Sequence, residues 1–313
     1  MKIIKDLSNY KSFQKSFVTI GTFDGVHIGH QKVIKNLICS ASGNNVASVL
    51  FTFFPHPRMV LQKESDIELI NTIDERIQLL EKLGLEIMVI QEFTTEFSKY
   101  SALHFVENLL VGKLNLAKLI IGYDHQFGKN REGDFEQLTN YGSTYGFSVE
   151  KIQQLDIDSI TVSSSKIRTA LKNGEIEKAN RFLGYNFMLT GKVVKGENLG
   201  KKIGFPTANL NIAESYKLIP KTGAYIVSSK IEGKTIYGMM NIGYRPTVSG
   251  KNQTIEIHFF DFNDDLYGVQ IQVDVIKFLR DEQKFESVEA LKNQLQKDKE
   301  KVVKFISGTF FDS

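Results

Sequence analysis

The chain has 313 residues, 42% hydrophobic and 24% charged, a composition that suits a globular protein of one large or two ordinary domains. Its net charge of +3 is too small for nucleic-acid or membrane binding by bulk electrostatics. The single cysteine, Cys39, excludes an intrachain disulfide and a cysteine zinc cluster, and with no 18-residue apolar run a cytoplasmic protein is expected.

The first half alternates strand-like and helix-like patterns. Phe17 to Ile20 is an apolar run that leads into Gly21, Gly25 and Gly29, and a helical pattern begins at Gln31. Strand, glycine turn and helix N-terminus together build an anion site, because free backbone N–H groups and the helix dipole face one spot. His27 and His30 lie at that turn as donors for phosphate oxygens, although two histidines three apart also fit an ordinary surface helix start. Val46 to Phe53 is β-rich, and Pro55 and Pro57 fix the loop after it and orient His56.

Thr72 to Lys82 is predicted helical, opening with a Thr72/Glu75 capping box and stopping at Gly84. A strand at Glu86 to Ile90, an amphipathic helix at Ser101 to Val111 and an apolar run at Leu119 to Ile121 follow. Helical spacing returns near Phe135 to Tyr141 and a strand near Ser148 to Gln153. The alternation predicts a doubly wound parallel sheet with ligands at the carboxyl ends of its strands. At one such end the loop Gly122 to Arg131 offers Asp124 and His125 as ligand contacts. In Val162 to Arg168 three serines precede a helix, with Lys166 and Arg168 close behind. That suits a triphosphate, or an N-cap with two solvated cations.

From Phe187 the pattern changes. Strand-like runs at Phe187–Val194, Thr207–Ile212, Gly223–Lys230, Ile236–Ile242, Thr254–Phe260 and Val269–Leu279 succeed one another without helices between them. Period-two alternation at Ile255, Ile257 and Phe259, and at Val269, Ile271, Val273 and Val275, predicts a closed six-stranded antiparallel barrel, since closure removes exposed edges. A terminal amphipathic helix spans Glu289 to Ile306. The expected domains are residues 1–183 and 184–313, joined through a helical connector from Lys166 to Phe182.

Gly196, Gly200 and Gly204 bracket Lys201 and Lys202, a basic loop that suits phosphates or a plain hairpin turn and that is not a Walker A motif. After Pro206, Thr207 and Asn209 share one strand face and offer hydroxyl and amide oxygens to a hard cation such as Mg²⁺. Glu256 faces away from Ile255 and Ile257, with His258 beside it. Such a face is usually solvated, but beside a nucleotide its carboxylate could take a proton from a hydroxyl.

Two resemblances rest on these residues. His27-Ile28-Gly29-His30 resembles the HxGH element of the nucleotidyltransferase superfamily. Gly204-Phe205-Pro206-Thr207-Ala208-Asn209, Asn241-Ile242-Gly243 with Pro246-Thr247, Glu256-Ile257-His258, Phe278-Leu279-Arg280 and Lys284-Phe285 resemble the riboflavin kinase module. In this order, with Pro55-His56-Pro57 and the Ser163-Ser164…Arg168 element, nearly the whole chain resembles the bifunctional bacterial riboflavin kinase/FMN adenylyltransferase family.

The resemblance implies a Rossmann-like nucleotidyltransferase domain followed by a six-stranded kinase barrel with a C-terminal helix. It implies ATP as co-substrate, Mg²⁺, riboflavin and FMN as substrates, and FMN, FAD, ADP and pyrophosphate as products, with no nucleic-acid or membrane partner. Glu256 would be the kinase base, Thr207 and Asn209 the metal ligands, and His27 and His30 the stabilisers of the adenylyl-transfer transition state. Ser164, Lys166 and Arg168 would hold the β- and γ-phosphates. Further ATP or flavin contacts are implied at Gly21, Phe23, Asp24, Gly29, His56, Asp124 and Ser163. In the second domain they are implied at Gly196, Lys201, Gly204, Pro206 and Arg280. The chain departs from the family at Asp124 and His125, where relatives often carry Asn and an aromatic residue, and an acidic residue there suits a metal as well as a nucleotide.

Three rival readings keep the motifs but change the role: an adenylyltransferase for another phosphate substrate with a regulatory barrel, a class I aminoacyl-tRNA synthetase, and a flavin sensor without catalysis. The filled polar positions at 207, 209 and 256 favour the bifunctional enzyme.

Overall fold

The computed structural model describes residues 1–8, 10–62, 67–123, 133–153, 156–157, 160–196, 199–247 and 250–311. Contacts divide the chain into two units, Met1–Ser164 and Ser165–Ser313.

The first unit opens with β1 (Lys2–Ile4), β2 (Ser16–Ile20), α1 (Ile28–Gly43), β3 (Ala47–Phe54) and α2 (Pro57–Leu61). It continues with α3 (Ile73–Lys82), β4 (Ile87–Glu92) and α4 (Ala102–His104), which runs on as a π-helical stretch over Phe105–Val111. β5 (Leu116–Ile121), α5 (Phe135–Tyr145), β6 (Ser148–Lys151) and a short antiparallel pair, β7 (Asp156–Ile157) and β8 (Ile160–Thr161), complete it. The main sheet is parallel throughout, in the order β1-β4-β3-β2-β5-β6. From β2 the chain builds outward through β3 and β4, then returns to β5 and β6 on the other side. The order therefore switches between β2 and β5, and the carboxyl end of β2 is where such sheets bind ligands.

Alternate residues of each strand enter opposite core layers, as the pleat requires. Val18, Val49, Phe51, Leu119 and Ile121 pack with Phe105, Val106, Leu110 and Leu138 from one set of helices. Phe17, Leu50, Met88 and Ile120 pack with Val33, Ile34, Leu37 and Leu80 of α1 and α3 on the other face. The sheet is doubly wound, as expected. The Thr72/Glu75 capping box forms, with bonds of 3.1 and 3.0 Å.

Two details differ from the sequence pattern. β1 was not expected, because three residues are too few to show alternation; it joins the edge of the sheet by pairing with β4. The helix expected over Ser101–Val111 forms with widened turns, Gly112 N–H donating to Glu107 and Leu114 N–H to Leu109. The wider turn keeps Phe105, Val106 and Leu110 on the buried side.

The second unit contains α6 (Ser164–Asn173, whose first residue closes the first unit), α7 (Ile176–Leu183), β9 (Phe187–Val194), α8 (Leu199–Lys202) and β10 (Ala208–Asn211). β11 (Gly223–Ile231), β12 (Lys234–Thr247), β13 (Gly250–Phe259), β14 (Gln270–Arg280) and α9 (Val288–Phe311) follow. The six long strands close into an antiparallel barrel in the order β10-β13-β12-β11-β14-β9. Ile271, Val273 and Val275 are buried as their alternation demands, whereas Val269, one residue before β14, is exposed. Val302 of α9, with Leu295, Phe305 and Ile306, packs on Phe205, Ile226, Met239 and Phe260.

The contact division assigns most of the α6–α7 connector to the barrel unit, because α7 is bonded to β14. The Asn180 side chain donates to the Val275 carbonyl (3.0 Å) and accepts from Phe187 N–H (2.8 Å), and Lys277 pairs with Glu177 at 2.6 Å. Asn180→Ala leaves that carbonyl and that N–H unpaired, each worth about 1–3 kcal/mol when buried. The expected result is a loss of about 2 kcal/mol from the barrel's urea transition followed by circular dichroism.

Candidate active sites

In the first unit, β2 is buried along its whole length and delivers the chain into the turn that ends at His27. Phe23 and Val26 there adopt left-handed backbone angles, φ 48° and 35°, an uncommon arrangement for bulky residues that surrounding contacts must hold. Asp24 supplies several of those contacts. Its carboxylate, 1% exposed, accepts from the Ile70 and Asn71 N–H groups at 3.1 and 3.2 Å and lies 3.8 Å from the Arg76 guanidinium. Arg76, equally buried, donates to the Thr22 carbonyl at 2.7 Å, and the Ser164 hydroxyl donates to the Asp24 carbonyl at 2.8 Å. The expected ligand contact Asp24 thus has its carboxylate turned into the fold.

His27 is the N-cap of α1, its Nδ1 accepting from the His30 N–H at 3.3 Å. That bond places the proton of the neutral imidazole on Nε2. The His27 and His30 rings stack with centroids 3.6 Å apart, and Phe23 covers His30 at 4.7 Å. Gly29 is required by this stack, because a Cβ there would press on the His27 ring at 3.2 Å. His30 Nδ1 is sealed from solvent without a hydrogen-bond partner among the described residues. Burial first, then the neighbouring His27 and Arg76, push the His30 imidazole well below its ordinary pKa, so it is neutral at neutral pH.

His56 follows β3 but caps α2, its Nδ1 accepting from Arg58 N–H at 3.2 Å. Gly21 ends β2, and Ser163 and Ser164 lie just before and at the start of α6. Lys166 and Arg168 sit on α6 within the second unit, and Asp124 and His125 lie outside the described residues.

In the second unit, register brings the polar residues together. Glu256 on β13 faces Asn209 on β10 and Asn241 on β12, and Thr207 Oγ1 donates to its carboxylate at 3.3 Å. A cavity of about 300 Å³ is lined by these four residues and by Arg280, Met240 and Phe285, among others. His258 is buried in its wall and donates Nδ1–H to the Pro206 carbonyl at 2.8 Å, which fixes the strand leading into Thr207. Burial pushes its pKa down, partly opposed by that bond. Gly196 lies so close to the Asn209 amide that any Cβ would collide with it. Gly204 turns the chain at φ 87°, and Lys201 is exposed on α8.

No group of three His, Cys, Asp or Glu among the described residues is arranged to hold a metal. Thr207 and Asn209 instead present neutral oxygens beside the Glu256 carboxylate, a donor set that suits a hard cation shared with phosphate oxygens. Sequence reasoning did not single out Arg76 or Asp298. Both are charged residues on the apolar stripe of a helix, Arg76 three after Ile73 and four before Leu80, Asp298 three after Leu295 and four before Val302. That position was the available signal.

A doubly wound sheet with two histidines at its switch point, and a barrel with a carboxylate among oxygen donors, define a two-module nucleotide-dependent transferase. Residues 9–166 match the family model described as FAD synthetase, and residues 183–306 the one described as riboflavin kinase. The chain is 36% identical over 300 residues to the bifunctional riboflavin kinase/FMN adenylyltransferase of Bacillus subtilis, covering 94% of this chain and 93% of that one. It is 35% identical over 301 residues to the protein of the same name in Escherichia coli, covering 95% and 96%. The chain belongs to the bifunctional riboflavin kinase/FMN adenylyltransferase family.

A crystal structure described as a macrolide-efflux protein from Streptococcus pneumoniae is similar along 95% of this chain and 97% of its own, with a TM-score of 0.87 and 29% identity. Efflux is named for that protein, whereas both family models name flavin enzymes. Among the described residues no helix is long and apolar enough to cross a membrane.

Because folding keeps His30 neutral, the unfolded chain binds its proton more readily below pH 6.5, and His30 costs stability as the pH falls through that value. The melting temperature of the wild type is expected to drop more steeply from pH 7 to about pH 5 than that of His30→Gln, which lacks the titrating group. Parallel melting curves for the two proteins would refute the buried neutral state.

Proposed function

We infer that the chain makes FAD from riboflavin in two ATP-dependent steps. The C-terminal module (184–313) phosphorylates riboflavin to FMN and releases ADP. The N-terminal module (1–183) joins FMN to AMP from a second ATP and releases pyrophosphate. The reading rests chiefly on Glu256 standing against the Thr207 hydroxyl, opposite Asn209, in the wall of the barrel cavity.

In the kinase step Glu256 takes the proton of the riboflavin 5′-hydroxyl as its oxygen attacks the γ-phosphorus of ATP. Thr207 and Asn209 would hold Mg²⁺ with the phosphates, and the ion would neutralise their charge when bound. His258, through the Pro206 carbonyl, keeps Thr207 in place. Arg280 orients the flavin from the cavity wall, and Gly196, Lys201 and Gly204 belong to the loop that covers the nucleotide.

In the adenylyl step a phosphate oxygen of FMN attacks the α-phosphorus of ATP, and no base is needed because the nucleophile is already an anion. His27 and His30 donate N–H groups to the negative charge that grows on the α-phosphate. Gly21, Phe23, Asp24 and Gly29 shape the turn that presents them. His56, Ser163, Ser164, Lys166, Arg168 and Asp124 hold phosphates or flavin around it. The substrates lie in the cytoplasm, and that location is part of the proposal.

Purified protein with riboflavin, ATP and Mg²⁺ is expected to give FMN and then FAD by chromatography. His30→Ala should lower FAD formation from supplied FMN by roughly 10²–10³ and spare FMN formation. Glu256→Ala should lower riboflavin phosphorylation by roughly 10²–10⁴ and spare FAD formation from FMN. Loss of both activities in either well-folded variant overturns the two-site assignment, and absence of any flavin product overturns the function.

A further inference from the structure

We propose that Asp298 on α9 is a positioning residue for riboflavin phosphorylation, acting through Arg280; the proposal rests on the kinase reading of the barrel. Asp298 is a carboxylate buried to 1% exposure in a helix that otherwise packs apolar side chains on the barrel. Its oxygens take the Arg280 guanidinium side-on: Nε donates at 3.2 and 2.9 Å and Nη2 lies at 2.8 Å. Gln294, one turn earlier, donates to the same carboxylate at 2.8 Å.

A buried ion pair seldom adds net stability over an apolar pair, so its presence here calls for another role. Arg280 and Asp298 both line the cavity that holds Glu256, and Leu291 and Leu295 bring α9 into the same wall. Of the five N–H groups of Arg280, Asp298 takes those of Nε and one of Nη2, and the Asp281 carbonyl takes one of Nη1 at 3.1 Å. One N–H on each terminal nitrogen is left to donate to a riboflavin oxygen. The pair fixes where those donors stand, because a guanidinium held by two parallel bonds keeps its plane.

The test is riboflavin kinase kinetics of Asp298→Asn, which keeps the shape and removes the charge. KM for riboflavin is expected to rise roughly tenfold with kcat within about threefold, the signature of lost substrate orientation and binding. Val302→Ala loosens the same helix without touching the pair and should leave that KM unchanged. Adenylylation of supplied FMN should be unaltered in both variants. In an Arg280→Gln background, adding Asp298→Asn should produce no further rise, since the carboxylate acts only through the guanidinium.

An unchanged KM in Asp298→Asn, an equal shift in Val302→Ala, or multiplying effects in the double variant would each overturn the proposal. Wild-type protein that forms no FMN overturns the kinase reading itself, an outcome separable from these because it appears before any substitution.

Discussion

A charge taken out of water must find its partners inside the protein, and much of the first unit follows from that. Asp24 and Arg76 are each only 1% exposed, and an ion so buried costs several kcal/mol unless hydrogen bonds replace its hydration. The partners are backbone groups of the loop at Ile70 and Asn71 and of the turn itself at Thr22. They therefore tie α3 and its preceding loop to the end of β2. With the turn so held, Phe23 and Val26 keep left-handed angles that a free loop would abandon. The stacked rings of Phe23, His30 and His27 follow from the direction that strain imposes.

The barrel reaches the same end by register. Closure pairs every strand on both sides, so a slip of one residue anywhere would turn a whole buried face outward. Glu256 is consequently fixed between Asn209 and Asn241, and the Thr207 hydroxyl meets it from the strand entry. Two polar details finish the wall: the bond of His258 to the Pro206 carbonyl, and the Arg280–Asp298 pair that brings α9 to the cavity.

What the sequence disclosed is what repeats or alternates. The parallel sheet, the six barrel strands and the terminal helix all announce themselves by period, and the HxGH and GxPTAN stretches by residue type. β1 was hidden because three residues carry no period. The turn explains a subtler miss. Asp24 reads as a ligand contact because an acid among glycines beside histidines looks exposed, yet its carboxylate is spent on Ile70 and Asn71, residues 46 and 47 positions away. Only long-range packing decides which way such a side chain turns. Arg76 and Asp298 lay in plain view on apolar stripes, where a charge is either an error of pattern or a buried pair.

The chemistry divides between the units in a way their electrostatics anticipate. Transfer to a hydroxyl needs a group that removes a proton, and the barrel presents a carboxylate. Transfer to a phosphate needs no base; it needs donors that do not already carry charge when the site is empty. Burial holds His30 neutral, with Nδ1 sealed away and His27 stacked on it, so the pair does not bind anions at full strength beforehand. Negative charge growing beside an imidazole raises its affinity for a proton and strengthens its N–H bond. A donor pair of this kind gives more to the charged transition state than to the ground state, and only that difference accelerates the step.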